Sequence, residues 1–375
     1  MATLSYIIWN GNPEIFSVGS FALRWYGLFF ALGFLISQQI LYYMFRKEGK
    51  PEKDVDTLTI YMIVATIIGA RLGHVLFYQP EIIWQEPLSI FLPFEFSPFK
   101  FTGLQGLASH GGAIGILFAL WLYSRKRKPG QNYFQILDRI VILVALTGAL
   151  IRLGNFFNSE IIGTPTDKPW GIVFTGRLTE SLKDDRIDSD HIVRDMVYVQ
   201  NDSLPAGADG RKPITIYIFF KPQATEAQAA GLINDRVVPL ISDRLYEYFD
   251  ETPQLRVNYK IAKPDAEGFV AKLNTVGIAR HPGQLYEAIS CVFLFLVLFA
   301  IWSRNREHLV TGRIFGIFLV WCFGMRIAIE FLKENQEAFE DSLPINMGQI
   351  LSIPLVIAGI IILIYTSRKK PSKNT

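Results

Sequence analysis

The segment IVILVALTGALIRLGNFFNSE, residues 140–160, decides how this chain folds. It begins with twelve residues that are apolar apart from Thr147 and Gly148, then places Arg152, Asn155, Asn158 and Glu160 close together. An apolar run of this kind is the start of a membrane-spanning helix. Arginine at the centre of such a helix costs about 2.5–3.5 kcal/mol on insertion scales, so an ionisable group at that depth marks a functional site by default. The plainer reading, in which Arg152 only reaches back to the lipid headgroups, is weakened by a second charged apolar run. Arg326 and Glu330 stand four residues apart, on one helical face, within Ile314–Leu332.

Outward from this segment, half of the 375 residues are hydrophobic, and seven runs approach spanning length: 23–44, 58–78, 106–123, 136–157, 283–302, 314–332 and 350–366. The third and fourth are the weakest. An odd number of spans puts the termini on opposite sides, and basic loops fix which side is inside. Arg46, Lys47, Lys50 and Lys53 follow the first span, residues 125–128 the third, Arg304, Arg306 and Arg313 the fifth, and Arg368, Lys369, Lys370 and Lys373 the seventh. The alternate loops carry Glu81, Glu86, Glu95, Glu337, Glu340 and Asp341, with Lys100 and Lys333 as their basic residues. The amino terminus is therefore expected outside and the carboxyl terminus inside. Met1–Ser20 has no basic leader or cleavage site and does not read as a removable signal peptide. A net charge of +3, split between opposing loops, excludes a nucleic-acid partner. Cys291 and Cys322 fall inside spans and read as apolar filler.

The polar stretch 158–280 interrupts the membrane pattern and is domain-sized. Ile214–Phe220 and Leu255–Ile261 read as strands, and Ala224–Phe249 as a helix interrupted by Pro239. The expected fold is an all-α polytopic membrane protein of about seven transmembrane helices, with an outer α+β head between spans four and five. The corresponding segments are 1–157, 158–280 and 281–375. The run containing Asp184, Asp185, Arg186, Asp188, Asp190, Arg194 and Asp195 lacks the ligand order of a calcium loop and reads as a solvated charged stretch.

Other polar groups gather at the outer ends of the spans. His110 opens span three, where Gly111 and Gly115 form a small-residue face that admits a neighbouring backbone, and its side chain suits base chemistry near neutrality. Trp25 and Tyr26 have the character of interfacial anchors. Arg71 lies in span two, and His281, Gln284 and Glu287 open span five. Arginines, amides and carboxylates in one layer fit a cavity for an anion, with phosphate met by guanidinium. No metal-ligand spacing is present and no cofactor is expected.

These residues resemble the bacterial prolipoprotein diacylglyceryl transferase family. The resemblance runs through Glu14–Ser17, Leu23–Leu28, Arg71–Gly73, His110–Gly112, Arg152–Glu160, Gln284–Glu287, Arg326 with Glu330 and Phe331, and Met347–Ser352, covering most of 1–175 and 276–368. It implies transfer of the diacylglyceryl group from phosphatidylglycerol to the lipobox cysteine thiol of a preprolipoprotein, forming a thioether and releasing glycerol 1-phosphate. It also implies a multi-pass protein of the bacterial inner membrane, with the amino terminus and head periplasmic and the carboxyl terminus cytoplasmic. The family's functional residues carry over as Tyr26, His110, Arg152, Asn155, Glu160, Gly163 and Arg326. The expected catalytic set is His110, Arg152 and Arg326. The expected substrate-binding set is Tyr26, Arg71, Asn155, Glu160, Gly163 and Glu330. The chain departs from the family at Ile151 and Ser159, where glycine is frequent, at Gly283, where serine is, and at Cys322, where tyrosine is; the long head has no counterpart in shorter members.

The chemistry agrees. A thiol with a pKa of about 8.5 is mostly protonated at neutral pH, so His110 is the expected base, and the two arginines stabilise the leaving phosphate. An anionic lipid transporter or flippase is the rival reading, but it calls for a repeat symmetry that the halves lack. A noncatalytic scaffold would make the intramembrane charges dispensable.

Overall fold

The structure, a computed structural model, describes residues 6–18, 21–85, 87–90, 94–96, 99–101, 108–184, 186–203, 207–250, 258–265, 268–333 and 345–368. Asp185, Glu86, Glu337, Glu340, Asp341, Lys369, Lys370, Lys373 and the start of the strand expected from Leu255 lie outside the described residues.

Helices dominate: α1 Trp25–Lys47, α2 Lys53–Tyr78, the single turn α3 Ile82–Gln85, α4 Ser109–Ser124, α5 Tyr133–Phe157, α6 Gly176–Ser181, α7 Glu226–Leu232, α8 Gly283–Asn305, α9 Arg313–Glu330 and α10 Met347–Ser367. Five of them, α1, α2, α5, α8 and α10, are long and apolar enough to cross a membrane. The weakly read fourth span is among them. α4 is an apolar helix of 16 residues, and α9, at 18 residues, carries Arg313, Arg326 and Glu330. The chain is thus a mostly helical, polytopic membrane protein with an added sheet.

The described residues cluster into two compact units. The first joins Met1–Gly33, Gly148–Cys291 and Gly324–Ile353; the second joins Phe34–Thr147, Val292–Phe323 and Pro354–Thr375.

In the first unit the strands are β1 Ile7–Trp9, β2 Glu14–Val18 and β3 Phe21–Arg24, then β6 Ile172–Phe174, β7 Val193–Gln200, β8 Arg211–Phe220, β9 Phe249–Asp250, β10 Asn258–Asp265 and β11 Gly268–Arg280; β4 Phe94–Phe96 and β5 Phe99–Phe101 form a hairpin in the second unit. The main sheet runs β1-β6-β11-β8-β7, with β9 and β10 also paired to β11. Strand β8 alternates as the sequence predicts: Ile214, Ile216, Ile218 and Phe220 are fully buried. The interposed Thr215 is also buried, and its hydroxyl donates to Asn274 Oδ1 at 2.9 Å.

The strand expected over Leu255–Ile261 is present where it is described, from Asn258, and runs on to Asp265; the long helix expected over Ala224–Phe249 is only α7. Thr225 and Gln228 cap α7 reciprocally. Beyond it the chain widens into π turns at Ile233–Val237 and Leu240–Arg244, on either side of Pro239. Proline has no N–H for an i→i−4 bond and its ring crowds the carbonyl four residues back, which disfavours regular α-helical geometry around Pro239.

In the second unit α2 packs against α4 with backbone against backbone. A Cβ on Gly111 would lie 2.3 Å from the Gly69 carbonyl oxygen and 2.7 Å from Gly73 Cα, and one on Gly115 would lie 2.5 Å from the Ala65 carbonyl oxygen. The small-residue face read from the sequence therefore has its partner in Gly69 and Gly73. Below this crossing, Leu41, Phe45, Leu58, Leu120 and Ile140 close one apolar cluster, and Met44, Leu298, Trp302 and Ile314 belong to another.

Candidate active site

The first unit collects the opening turns of α1, α8 and α10 and the closing turns of α5 and α9 together with the sheet. Polar side chains that an apolar helix cannot leave unpaired meet there. α5 ends at Phe157, and the chain turns sharply with Ser159 at φ 51° and Ile161 at φ 57°. Both non-glycine residues hold left-handed backbone, a costly conformation that marks constrained sites. The turn folds Glu160 back on its own helix: its Oε1 accepts from Asn155 Nδ2 at 2.6 Å and from Asn158 Nδ2 at 3.2 Å. Gln284, fully buried at the start of α8, donates to the Glu160 carbonyl and pins the turn. Tyr248 Oη donates to the Ser159 carbonyl at 2.9 Å. The serine therefore occupies a position where the backbone favours glycine.

Arg152 lies one turn before this bend. Its Nη1 donates to Asn155 Oδ1 at 3.3 Å, and its Nε is ion-paired with Glu287 Oε2. Glu287 also takes Lys333 Nζ at 2.5 Å on Oε1, and Lys333 reaches Glu330 Oε2 at 3.4 Å. The side chains of Glu287, Lys333 and Glu330 are only 9%, 4% and 9% exposed. Two cations thus share one buried carboxylate, which ties α5, α8 and the end of α9 together. Arg326 lies within electrostatic reach of Glu287, and its buried Nε has no hydrogen-bond partner among the described residues. A buried guanidinium N–H without a partner is expensive and ready for an acceptor.

Tyr26 packs on Gly154, whose Cβ would lie 2.9 Å from Tyr26 Cα, and its phenol is within electrostatic reach of Glu160 and Arg152. Gly163 sits between two strands of backbone. It donates its N–H to the His281 carbonyl at 2.9 Å, accepts from Arg280 Nη1 at 3.0 Å and bridges to Lys333. A Cβ there would lie 2.5 Å from the Leu332 carbonyl oxygen and 2.6 Å from that of His281. Any side chain would push Lys333 out of register. Beside it, Tyr286 Oη accepts from Trp170 Nε1 at 2.9 Å and faces His281 Nδ1 at 2.9 Å. Burial and the Lys168 charge hold the His281 imidazole below its ordinary pKa, so it is neutral at pH 7.

The first unit therefore brings together Tyr26, Arg152, Asn155, Glu160, Gly163, Arg326 and Glu330. His110 and Arg71 belong to the second unit. The His110 ring stands edge-on to Phe77 at 4.9 Å between centroids and 6.2 Å from Tyr78. Buried Arg71 donates Nε to the Ile90 carbonyl at 3.0 Å, an anchoring contact for the turn after α3. Cys322 is partly buried and packs on the apolar cluster of Leu298 and Ile314. In the head, the Asp184 carboxylate is held down to about 2 by hydrogen bonds from Arg186, and Asp188 caps the N–H groups of Ile192 and Val193.

Sequence reasoning placed Gln284 and Glu287 in the outer polar layer but left them, and Lys333, out of the expected catalytic and substrate-binding sets. The available signals were a glutamine and a glutamate three residues apart in an apolar helix, and a lysine three residues after Glu330.

Set beside known proteins, the chain matches the family model described as prolipoprotein diacylglyceryl transferase over residues 13–365. A Bacteroides fragilis protein named phosphatidylglycerol–prolipoprotein diacylglyceryl transferase is 33% identical over 370 residues, covering 98% of each chain. Proteins of the same name from Tolumonas auensis and Chloroherpeton thalassium are each 32% identical, over 97% and 100% of this chain and 99% and 100% of their own lengths.

Proposed function

The chain belongs to the prolipoprotein diacylglyceryl transferase family, and on that premise we propose that it transfers the diacylglyceryl group of phosphatidylglycerol to the lipobox cysteine of a prolipoprotein. The observation that carries this reading is similarity along the whole chain to transferases of that name. The geometry of the first unit supports it, because Arg326 offers a buried N–H with no hydrogen-bond partner among the described residues and Arg152 is braced by Glu287 and Asn155.

In the proposed reaction the cysteine sulfur attacks the glyceryl carbon that bears the phosphate. The C–S bond forms as the C–O bond breaks, and glycerol 1-phosphate leaves with the electron pair. The thiol proton passes to His110. Arg152 and Arg326 bind the phosphate and stabilise the charge that develops on the leaving oxygen; guanidinium suits this role because it presents paired donors to phosphate oxygens. Asn155 and Glu160 hold the bend after α5, Glu330 steadies Lys333, Gly163 keeps the backbone bridge closed, and Tyr26 and Arg71 are assigned to the donor headgroup.

The proposed topology has seven spans in the bacterial inner membrane, with 1–157, 158–280 and 281–375 as its segments. The amino terminus and the head are periplasmic, and the basic carboxyl tail is cytoplasmic. Two features support it. Basic residues are concentrated in alternate short loops, with Lys100 and Lys333 the exceptions. The first unit also holds five of the seven helix ends that a seven-span order beginning outside would bring to one face, those of α1, α5, α8, α9 and α10. The test is direct: purified protein given phosphatidylglycerol and a lipobox peptide yields a thioether-linked diacylglyceryl peptide, and a folded protein that yields none contradicts the reading.

A further inference from the structure

We propose that the cavity between the α1–α2 and α4–α5 turns, in the second unit, binds a phosphate-bearing anion, the headgroup of an anionic phospholipid. The two turns are tight. Gly49 at φ 64° and Gly130 at φ 65° set their backbones, and together they enclose about 700 Å³. The lining presents Lys50, Lys128 and Arg139 against Glu48 and Asp54, three cations to two carboxylates.

Both carboxylates are already occupied. Glu48, with a fully buried side chain, accepts from Arg139 Nη2 at 3.0 Å, Lys50 Nζ at 2.6 Å and Trp302 Nε1 at 2.6 Å. Asp54 accepts from Lys128 and, at 2.7 Å, from Gln131 Nε2; Gln131 is fixed in turn by the Tyr123 hydroxyl at 2.6 Å. An incoming metal cation would find few open acceptors. An anion would find three cations held in fixed places, one of them, the Lys128 side chain, 30% exposed at the mouth. Leu41, Phe45 and Leu58 form an apolar floor beside the cavity.

The surroundings favour a lipid as the source. Arg46, Lys47, Lys53, Arg125, Lys126 and Arg127 lie on or beside the same two connections at the ends of membrane helices. Basic pockets at that level attract anionic headgroups, at about 1 kcal/mol per lysine or arginine near the surface. The volume exceeds that of inorganic phosphate and admits a glycerophosphate headgroup. The site shares no residue with the Arg152–Glu287 cluster, so it is distinct from the proposed donor site.

The experiment uses the full chain in phosphatidylcholine nanodiscs and follows the thermal midpoint and tryptophan emission. One arm raises the mole fraction of phosphatidic acid; the other adds inorganic phosphate. The expected result is a saturable response to the lipid that Lys128→Gln weakens by about fivefold and that Lys128→Arg restores. A saturable response to inorganic phosphate with the same dependence on Lys128 supports the site with free phosphate as its source. Equal half-saturation for wild type and Lys128→Gln, or no saturable response, overturns the proposal. The readout is binding, so a failure of diacylglyceryl transfer counts against the proposed function alone.

Discussion

Glu287→Gln is the most informative single substitution. The glutamate carboxylate is 9% exposed and lies between Arg152 and Lys333, with Lys333 itself 4% exposed. Glutamine keeps the shape and can still accept from Lys333 through its carbonyl. Its amide then faces the Arg152 guanidinium, so a donor meets a donor where an ion pair stood. Removing one partner of a buried pair costs about 3–5 kcal/mol. The lower end applies, because Arg152 is 24% exposed and Lys333 keeps Glu330 at 3.4 Å. In this account the loss also falls on function: an arginine displaced by about 1 Å lowers turnover by about a hundredfold. The assay is a double-mutant cycle of Glu287→Gln with Lys333→Met, read by unfolding in a fixed detergent and by single-turnover transfer. Removing Lys333 takes away one of the two stranded cations, so the double mutant should recover about 1–3 kcal/mol relative to the sum of the singles. Additive effects, or a Glu287→Gln protein that melts and turns over as wild type does, would refute the carboxylate's role as a shared anchor.

Three further outcomes follow from the geometry. Gly111→Val puts side-chain atoms into the Gly69 backbone and should destabilise the α2–α4 pair by about 3 kcal/mol or more, measured as a lower denaturation midpoint; an unchanged midpoint would show that the helices do not meet there. Ser159→Gly relieves a left-handed serine and removes a buried hydroxyl with no hydrogen-bond partner among the described residues, so it should raise stability by about 1 kcal/mol; a lower midpoint contradicts this. For Glu48, burial alone would raise the pKa, but Arg139 and Lys50 outweigh it and hold the carboxyl below its ordinary value. Its contribution is therefore present above the unfolded pKa and is lost as pH falls through the lower folded one. The stability gap between wild type and Glu48→Gln should be constant above about pH 5 and narrow below about pH 4, whereas a gap that widens on acidification is the contrary result.

The helical framework was legible because a membrane span needs only composition and length, and α1, α2, α5, α8 and α10 satisfy both. α9 was legible as a helix, but its charges keep it apart from those five. The sheet was much less legible. Strand β1 pairs in parallel with β6 at a separation of some 165 residues, and such non-local pairing leaves no trace in local pattern. Strand β7 is interrupted by Arg194 and Asp195, and β11 carries Asn274 and Gly277, so neither reads as a clean alternation. The site divides the same way. Arg152, Asn155, Glu160, Arg326 and Glu330 stood out because polar groups in apolar helices are costly. Glu287 and Lys333 lie near the ends of spans, where a charge is unremarkable, and their burial depends on contacts between segments far apart in the chain.

The central claim is that Arg326, whose buried Nε has no hydrogen-bond partner among the described residues, receives the donor's phosphate. The direct measurement is phosphatidylglycerol affinity without acceptor, for wild type, Arg326→Lys and His110→Asn. The account predicts that Arg326→Lys binds the donor at least about tenfold more weakly, because lysine replaces a planar set of donors with a point charge, while His110→Asn binds it as wild type does. Wild-type donor affinity in a folded Arg326→Lys protein would contradict it.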